Sequence, residues 1–150
     1  MERKRRIIPP AWALLALLAS LALHRWLPLA QVLPAPWTWS GVMLIALALL
    51  LMLSAMAGFR RAGTPVVPFE RSTALVTGGP YRFTRNPMYL GLTLLLLGIA
   101  LLQGSLGACL PVPAFVAIIQ KNFIEGEERF LAEIFGGQYR SYQRRVRRWI

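Results

Sequence analysis

Nineteen consecutive residues, Gly41 to Phe59, carry no charge and are almost all apolar. A helix of about 20 such residues is what crosses the ~30 Å hydrocarbon layer of a bilayer. A second uncharged run, Ala11 to Leu23, precedes it, and two more, Met88 to Leu102 and Leu106 to Ile119, follow. Across its 150 residues the chain is 56% hydrophobic and 15% charged, whereas soluble domains run near ~45–50% and about a quarter. That balance excludes an ordinary water-soluble core. It leaves one domain of membrane-embedded helices.

The runs give an all-α integral-membrane fold with about four transmembrane helices. The first covers residues 7–23 behind the basic stretch Arg3 to Arg6, with Pro9 and Pro10 where a helix can begin. A charged start before a short apolar run also resembles a signal peptide, but no clear small-x-small cleavage site follows the run before His24-Arg25-Trp26. The Pro-rich stretch Leu27 to Pro36 is a loop, and Trp37 and Trp39 sit where an interfacial aromatic belt would place them. The second helix covers 41–59. Residues 60–87 form a polar loop in which Gly63, Pro65, Pro68, Gly78, Gly79 and Pro80 interrupt any long helix. The third and fourth helices, 88–102 and 106–119, are short and form a tight hairpin, the last kinked by Pro111 and Pro113. Residues 121–150 make cytoplasmic and interfacial helices.

Charge sets the topology. Of the 17 Lys and Arg, four lie in 3–6, five in 60–85 and seven in 121–148. All but Arg25 fall on one side of a four-helix arrangement, which predicts a multi-pass protein of a bacterial inner membrane with both termini cytoplasmic. Clustering at helix ends also makes the bilayer, and not nucleic acid, the partner of this basic excess. The single Cys109, the single His24 and the absence of Asp exclude a disulfide framework, a thiolate metal site and a Ser-His-Asp triad. No metal is expected. Chemistry must rest on Glu, Arg, Tyr, Asn and backbone, or on a bound cofactor.

Two segments carry the polar residues that could do such work. In the first, Leu75 to Gly91, Asn86 is a good N-cap and Pro87 a good first-turn residue, so a helix starts there. Arg82 and Arg85 suit headgroup anchors, and Gly91 and Gly98 lie on one helix stripe that admits a close neighbour. In the second, Phe123 to Phe135, Glu127 falls at the centre of an apolar face with Phe123, Phe130 and Ile134. Glu128 lies at the edge of that face, while Glu125 points away and is placed to pair with Arg129 at i,i+4. A carboxylate amid apolar side chains is costly unless a cation meets it. Either an arginine of the loop, Arg82 or Arg85, or a positively charged ligand would serve.

The elements Gly79-Pro80-Tyr81 and Arg85-Asn86-Pro87-Met88-Tyr89-Leu90-Gly91, followed by Glu127-Glu128, Phe135-Gly136, Tyr139, Tyr142 and Arg145-Val146, resemble the isoprenylcysteine carboxyl methyltransferase family and the related phospholipid N-methyltransferases. The likeness covers roughly residues 73–149. It implies a membrane-embedded methyltransferase using S-adenosylmethionine without a Rossmann-like domain, acting on a lipophilic or amphiphilic acceptor. Carried over by position, the cofactor-binding residues are Thr73, Ala74, Leu75, Val76, Tyr81, Asn86, Pro87, Met88, Tyr89 and Glu127. Arg85 and Glu128 are the candidate catalytic residues, and Arg82 and Arg129 are candidates for orienting the acceptor. Asn86 stands where the family usually has histidine, and Phe123 where eukaryotic members have a substrate-contacting arginine. Asn cannot titrate, which favours an acceptor already anionic. The alternatives are a phospholipid N-methyltransferase, an NADPH-dependent reductase of related fold and a non-catalytic membrane protein.

The tail after Gly136-Gly137, an expected helix stop, repeats Tyr139, Tyr142, Val146 and Trp149 among arginines. That pattern predicts a basic amphipathic helix on an anionic membrane surface that also closes the site.

Overall fold

The computed structural model describes residues 8–31, 33–63 and 74–150. Among these the α-helices are α1 (Pro9–Trp26), α2 (Ser40–Arg61), α3 (Pro87–Gln103), α4 (Leu106–Cys109), α5 (Pro111–Ile119) and α6 (Glu125–Arg145). Short 3₁₀ turns, Trp37–Trp39 and Gly79–Arg82, precede α2 and α3, and a π turn, Gln120–Ile124, joins α5 to α6. The described residues contain no strand beyond an isolated bridge between Gln31 and Ser105. Prolines open α1, α3 and α5, where the missing N–H would have had no partner. The chain leaves α3 through Gly104 in the left-handed region (φ 73°), a conformation that favours glycine.

The tightest contact in the bundle is between α2 and α3, and glycines create it. A Cβ on Gly98 would sit 2.8 Å from the Gly41 carbonyl oxygen, and one on Gly91 would collide with the Met52 side chain. The stripe of Gly91 and Gly98 therefore faces α2. On the other side, α1 is tied to the α4 turn by Ser20 Oγ, which donates to the Ala108 carbonyl at 2.8 Å. Backbone bonds from Leu106 N to Ala30 O and Gly107 N to Pro28 O close this end of the molecule. His24 belongs here too, its Nδ1 2.8 Å from Ser105 Oγ. It has a structural partner far from the polar loop.

Two helical runs are long and apolar enough to cross a membrane by length and composition, Trp37–Arg61 and Leu106–Arg145. The apolar helix Pro87–Gln103 is shorter. On α2, Met43, Leu47, Leu50 and Leu53 form an exposed ridge, which lipid tolerates and water does not. The second run is not one straight rod: the π turn Gln120–Ile124 and the kink at Gly136 interrupt it. Its first acidic residue is Glu125, so its uncharged apolar part ends before α6.

The expected helix stop falls at Gly136, which takes φ 50° and ψ −119° and divides α6 into two helical segments across a kink. The carboxy-terminal half departs from the sequence expectation in one respect: the apolar face of the tail is turned inward. Tyr139, Tyr142 and Val146 are buried against Ala55 and Tyr81, and the Tyr142 hydroxyl donates to the Tyr81 carbonyl at 2.7 Å. A buried phenol needs a hydrogen-bond partner, and the protein interior supplies one that a lipid surface would not.

Candidate active site

A cavity of about 480 Å³ lies where α1 begins, α2 ends, and α3 and α6 begin. That volume is in the range of ~300–1,000 Å³ typical of small-molecule sites. One part of its wall is apolar, from Ile8, Pro9, Pro10, Met52, Phe59 and Leu92. The other is polar or aromatic, from Tyr81, Arg85, Asn86, Tyr89, Glu127, Glu128, Tyr139 and Tyr142. Ala74, Leu75, Val76 and Met88 also border it, with Phe130 and Leu131 of α6. Tyr81 is set by the 3₁₀ turn and by an edge-to-face contact with Phe59, ring centroids 5.5 Å apart.

The two adjacent glutamates have different fates. Tyr89 donates its hydroxyl to Glu127 Oε1 at 2.6 Å. Among the described residues the ion pairs are Arg85–Glu128 and Arg148–Glu128, so Glu127 has no cationic partner there. Burial raises its pKa to about 7, opposed by the Tyr89 hydrogen bond and assisted by the neighbouring Glu128 charge. Glu127 is thus a carboxyl group at the edge of ionisation in a cavity wall. Of the two partners the sequence left open for Glu127, a loop arginine is not found: Arg85 pairs with Glu128 instead, and Glu125 and Arg129 form no ion pair.

Glu128 instead holds two guanidiniums. Arg85 Nη2 lies 3.0 Å from Oε1, and Arg148 grips both oxygens, Nε at 3.0 Å and Nη2 at 2.7 Å. The hydrogen bond to Glu128 raises the Arg148 pKa further, keeping it charged. Arg85 Nε is buried without an acceptor. Burial also raises Tyr81 and Tyr142, and pushes Tyr139 up to about 12. These phenols remain protonated at neutral pH and can only donate or share their hydroxyls.

Asn86 occupies the N-cap position of α3, but its side chain makes no capping bond. Its Nδ2 donates to the Arg148 carbonyl at 3.0 Å, because the returning carboxy terminus offers a buried acceptor at that point. The backbone N–H of Arg85 likewise donates to the Arg147 carbonyl at 3.0 Å.

Of the residues singled out from the sequence, Ala74, Leu75, Val76, Tyr81, Arg85, Asn86, Met88, Tyr89, Glu127 and Glu128 border one cavity. Pro87 is buried at the first turn of α3. Arg82 and Arg129 are exposed and stand off the cavity wall. Thr73 lies outside the described residues. Sequence reasoning missed Phe59, Met52, Leu92 and the α1 start, which are indistinguishable from lipid-facing residues in sequence. It assigned Tyr139 and Tyr142 to a membrane surface, and it had no signal separating Arg148 from the other arginines of the tail. Among the described residues no cluster of His, Cys, Asp or Glu could hold a metal ion.

Comparison with known proteins gives a family match over residues 36–138, to the model described as phospholipid methyltransferase. The match takes in α2 as well as the two polar motifs. A phosphatidyl-N-methylethanolamine N-methyltransferase of Saccharomyces cerevisiae is 39% identical over 108 residues, 68% of this chain and 50% of that protein. The Emericella nidulans protein of the same name is 34% identical over 102 residues, 67% of this chain and 50% of the relative. A protein-S-isoprenylcysteine O-methyltransferase of Schizosaccharomyces pombe is 32% identical over 98 residues, 62% and 40% of the two chains. The chain spans about half the length of the curated relatives it matches.

Proposed function

The chain belongs to the phospholipid methyltransferase family, and from that premise we propose that it is an integral-membrane methyltransferase using S-adenosylmethionine. The observation that carries this reading is Glu127: a largely buried carboxyl on a cavity wall, held by Tyr89 and with no cationic partner among the described residues. A ligand bearing fixed positive charge answers that deficit. The group fits the residues present. Glu127 would hold its cationic end, the aromatic rings of Tyr81 and Tyr89 in the wall would suit a sulfonium, and Ala74, Leu75 and Val76 would border the nucleoside. When bound, S-adenosylmethionine supplies an electrophilic methyl group for in-line transfer.

The rest of the task falls to the protein: holding the acceptor in line and keeping water out. The apolar wall of Ile8, Pro9, Pro10, Met52 and Leu92 suits a hydrocarbon chain entering from the bilayer. The family match and the two N-methyltransferase relatives favour the amine of a phospholipid headgroup as acceptor. Such an amine attacks as its neutral form, so an ammonium headgroup must lose its proton before transfer. A prenylated cysteine carboxylate is the second reading, on the strength of the O-methyltransferase relative. It needs no base.

For topology we propose four crossings, by α1, α2, α3 and the α4–α5 segment, with both termini and the cavity on the cytoplasmic side of a bacterial inner membrane. The positive-inside distribution supports this, as does the way the cavity is walled by the start of α1, the end of α2 and the start of α3.

Purified protein in detergent should bind S-adenosylmethionine by calorimetry and transfer labelled methyl into phosphatidylethanolamine supplied in mixed micelles. A folded Glu127→Ala protein should do neither. Binding of NADPH in its place, or no difference between the variant and the unaltered protein, would remove the proposal.

A further inference from the structure

Residues 146–149 return from α6 to the turn that precedes α3, and the contacts there converge on one backbone oxygen. Asn86 Nδ2 and Thr84 Oγ1 both donate to the Arg148 carbonyl, at 3.0 and 3.2 Å. A carbonyl has two lone pairs, so both bonds can be made together. Thr84 Oγ1 also accepts from the Asn86 N–H at 3.1 Å, which fixes the two donors relative to each other. The segment is held at two more points: the Arg148 side chain on Glu128, and Trp149 Nε1 donating to Gln120 Oε1 at 3.0 Å in the π turn.

Asn86 forgoes an ordinary N-cap bond, worth ~1 kcal/mol to a helix, to make this contact. Thr84 is 2% exposed and does not border the cavity. Its hydroxyl can reach the terminal segment and cannot reach a ligand. We infer that Thr84 and Asn86 are positioning residues that latch residues 146–149 against the site, and that Asn86 governs ligand retention through the Arg148 carbonyl. The consequence is electrostatic as well as steric. With the latch closed, Arg148 helps Arg85 neutralise Glu128, while Glu127 on the cavity wall has no cationic partner among the described residues. With it open, Glu128 keeps Arg85 alone, the cavity wall loses its support, and a bound ligand escapes faster. The ligand half of this inference rests on the proposed cofactor site; the latch itself does not.

The test uses the full chain in detergent with trypsin, scoring cleavage after Arg148 by intact mass, and S-adenosylmethionine, without any acceptor, as the dissociation probe. Thr84→Val should speed that cleavage at least about fivefold, as expected for the one hydrogen bond lost to the terminal segment together with the lost acceptor for the Asn86 N–H, and speed probe dissociation in parallel. Thr84→Ser should restore both. Asn86→Ala should weaken probe binding in the full chain and add nothing in a chain lacking residues 147–150, since coupled groups are non-additive. Unchanged cleavage in both Thr84→Val and Asn86→Ala would overturn the latch. An Asn86→Ala loss that persists undiminished in the shortened chain would mean direct ligand contact and overturn the indirect role. Should the shortened chain not fold, the Thr84→Val and Thr84→Ser pair decides alone. A protein that binds no probe yet shows the cleavage pattern keeps the latch and sinks the cofactor site.

Discussion

The Tyr89 hydroxyl reaches the Glu127 carboxylate at 2.6 Å across 38 residues of sequence, joining the first turn of α3 to the first turn of α6. Among the described residues neither side chain has another polar partner, so each orients the other on the cavity wall. Removing the carboxylate while keeping its size should abolish the attraction for a cation. Glu127→Gln is expected to weaken S-adenosylmethionine binding by tenfold or more in calorimetry, while Arg82→Gln, on an exposed residue off the cavity, leaves it unchanged.

The pH dependence has two opposite signs. Glu127 titrates near pH 7 in the folded protein, against an ordinary value of 4.5. The folded state therefore binds this proton more tightly than the unfolded state does. Its contribution to stability is fully present below pH 4.5 and is lost as pH rises through about 7. Ligand binding runs the other way, because a cation needs the ionised form: affinity should rise through pH 7 and level off above it. Melting temperature and binding measured from pH 5 to 8 should show both trends, and Glu127→Gln should flatten both.

Tyr89→Phe separates the hydroxyl from the ring. The hydrogen bond favours the ionised carboxyl, so losing it should move the midpoint of the binding–pH curve upward. Hydrogen bonds to charged groups contribute about 1.5–3 kcal/mol, which corresponds to at least a severalfold loss of affinity at pH 7. An unmoved midpoint would show that Tyr89 does not tune Glu127.

Glu128 is predicted to matter for stability first. Arg85 and Glu128 are 11% and 12% exposed, and removing one member of a buried pair costs roughly 3–5 kcal/mol. Glu128→Gln should lower stability by about 3 kcal/mol, near the bottom of that range because Arg148 is partly exposed. Glu125→Gln, which breaks no ion pair, should be neutral. Thermal unfolding followed by circular dichroism distinguishes them.

The helix contact offers a test independent of chemistry. Gly98→Val would push side-chain atoms into the Gly41 carbonyl and the Ile45 backbone, neither of which can rotate away. Overpacking of this kind costs about 1–3 kcal/mol or more. Gly78→Ala, which meets nothing within 4 Å, should leave the melting temperature where it is.

Local chemistry alone revealed much of this molecule. Uncharged runs, first-turn prolines and the Gly91–Gly98 stripe depend on neighbours within a few residues, so helix positions and the close-packing face of α3 could be read in order along the chain, though not that α2 fills it. Glu127 stood out for a similar reason, since a carboxylate on an apolar helix face is conspicuous at a 3.6-residue period. The pairing of charges could not be read that way. Glu127 and Glu128 are adjacent, yet one faces a tyrosine and the other two arginines, one of them 20 residues downstream. The same limit hid the cavity's apolar wall, because a leucine facing a ligand and a leucine facing lipid have identical sequence signatures. It also hid the use of Tyr139 and Tyr142 as interior groups and of Asn86 as a donor to the terminal segment. Each of those assignments turns on which distant backbone arrives beside a side chain, and that depends on the folding of the chain back over itself after the kink at Gly136, where short-range periodicity carries no information.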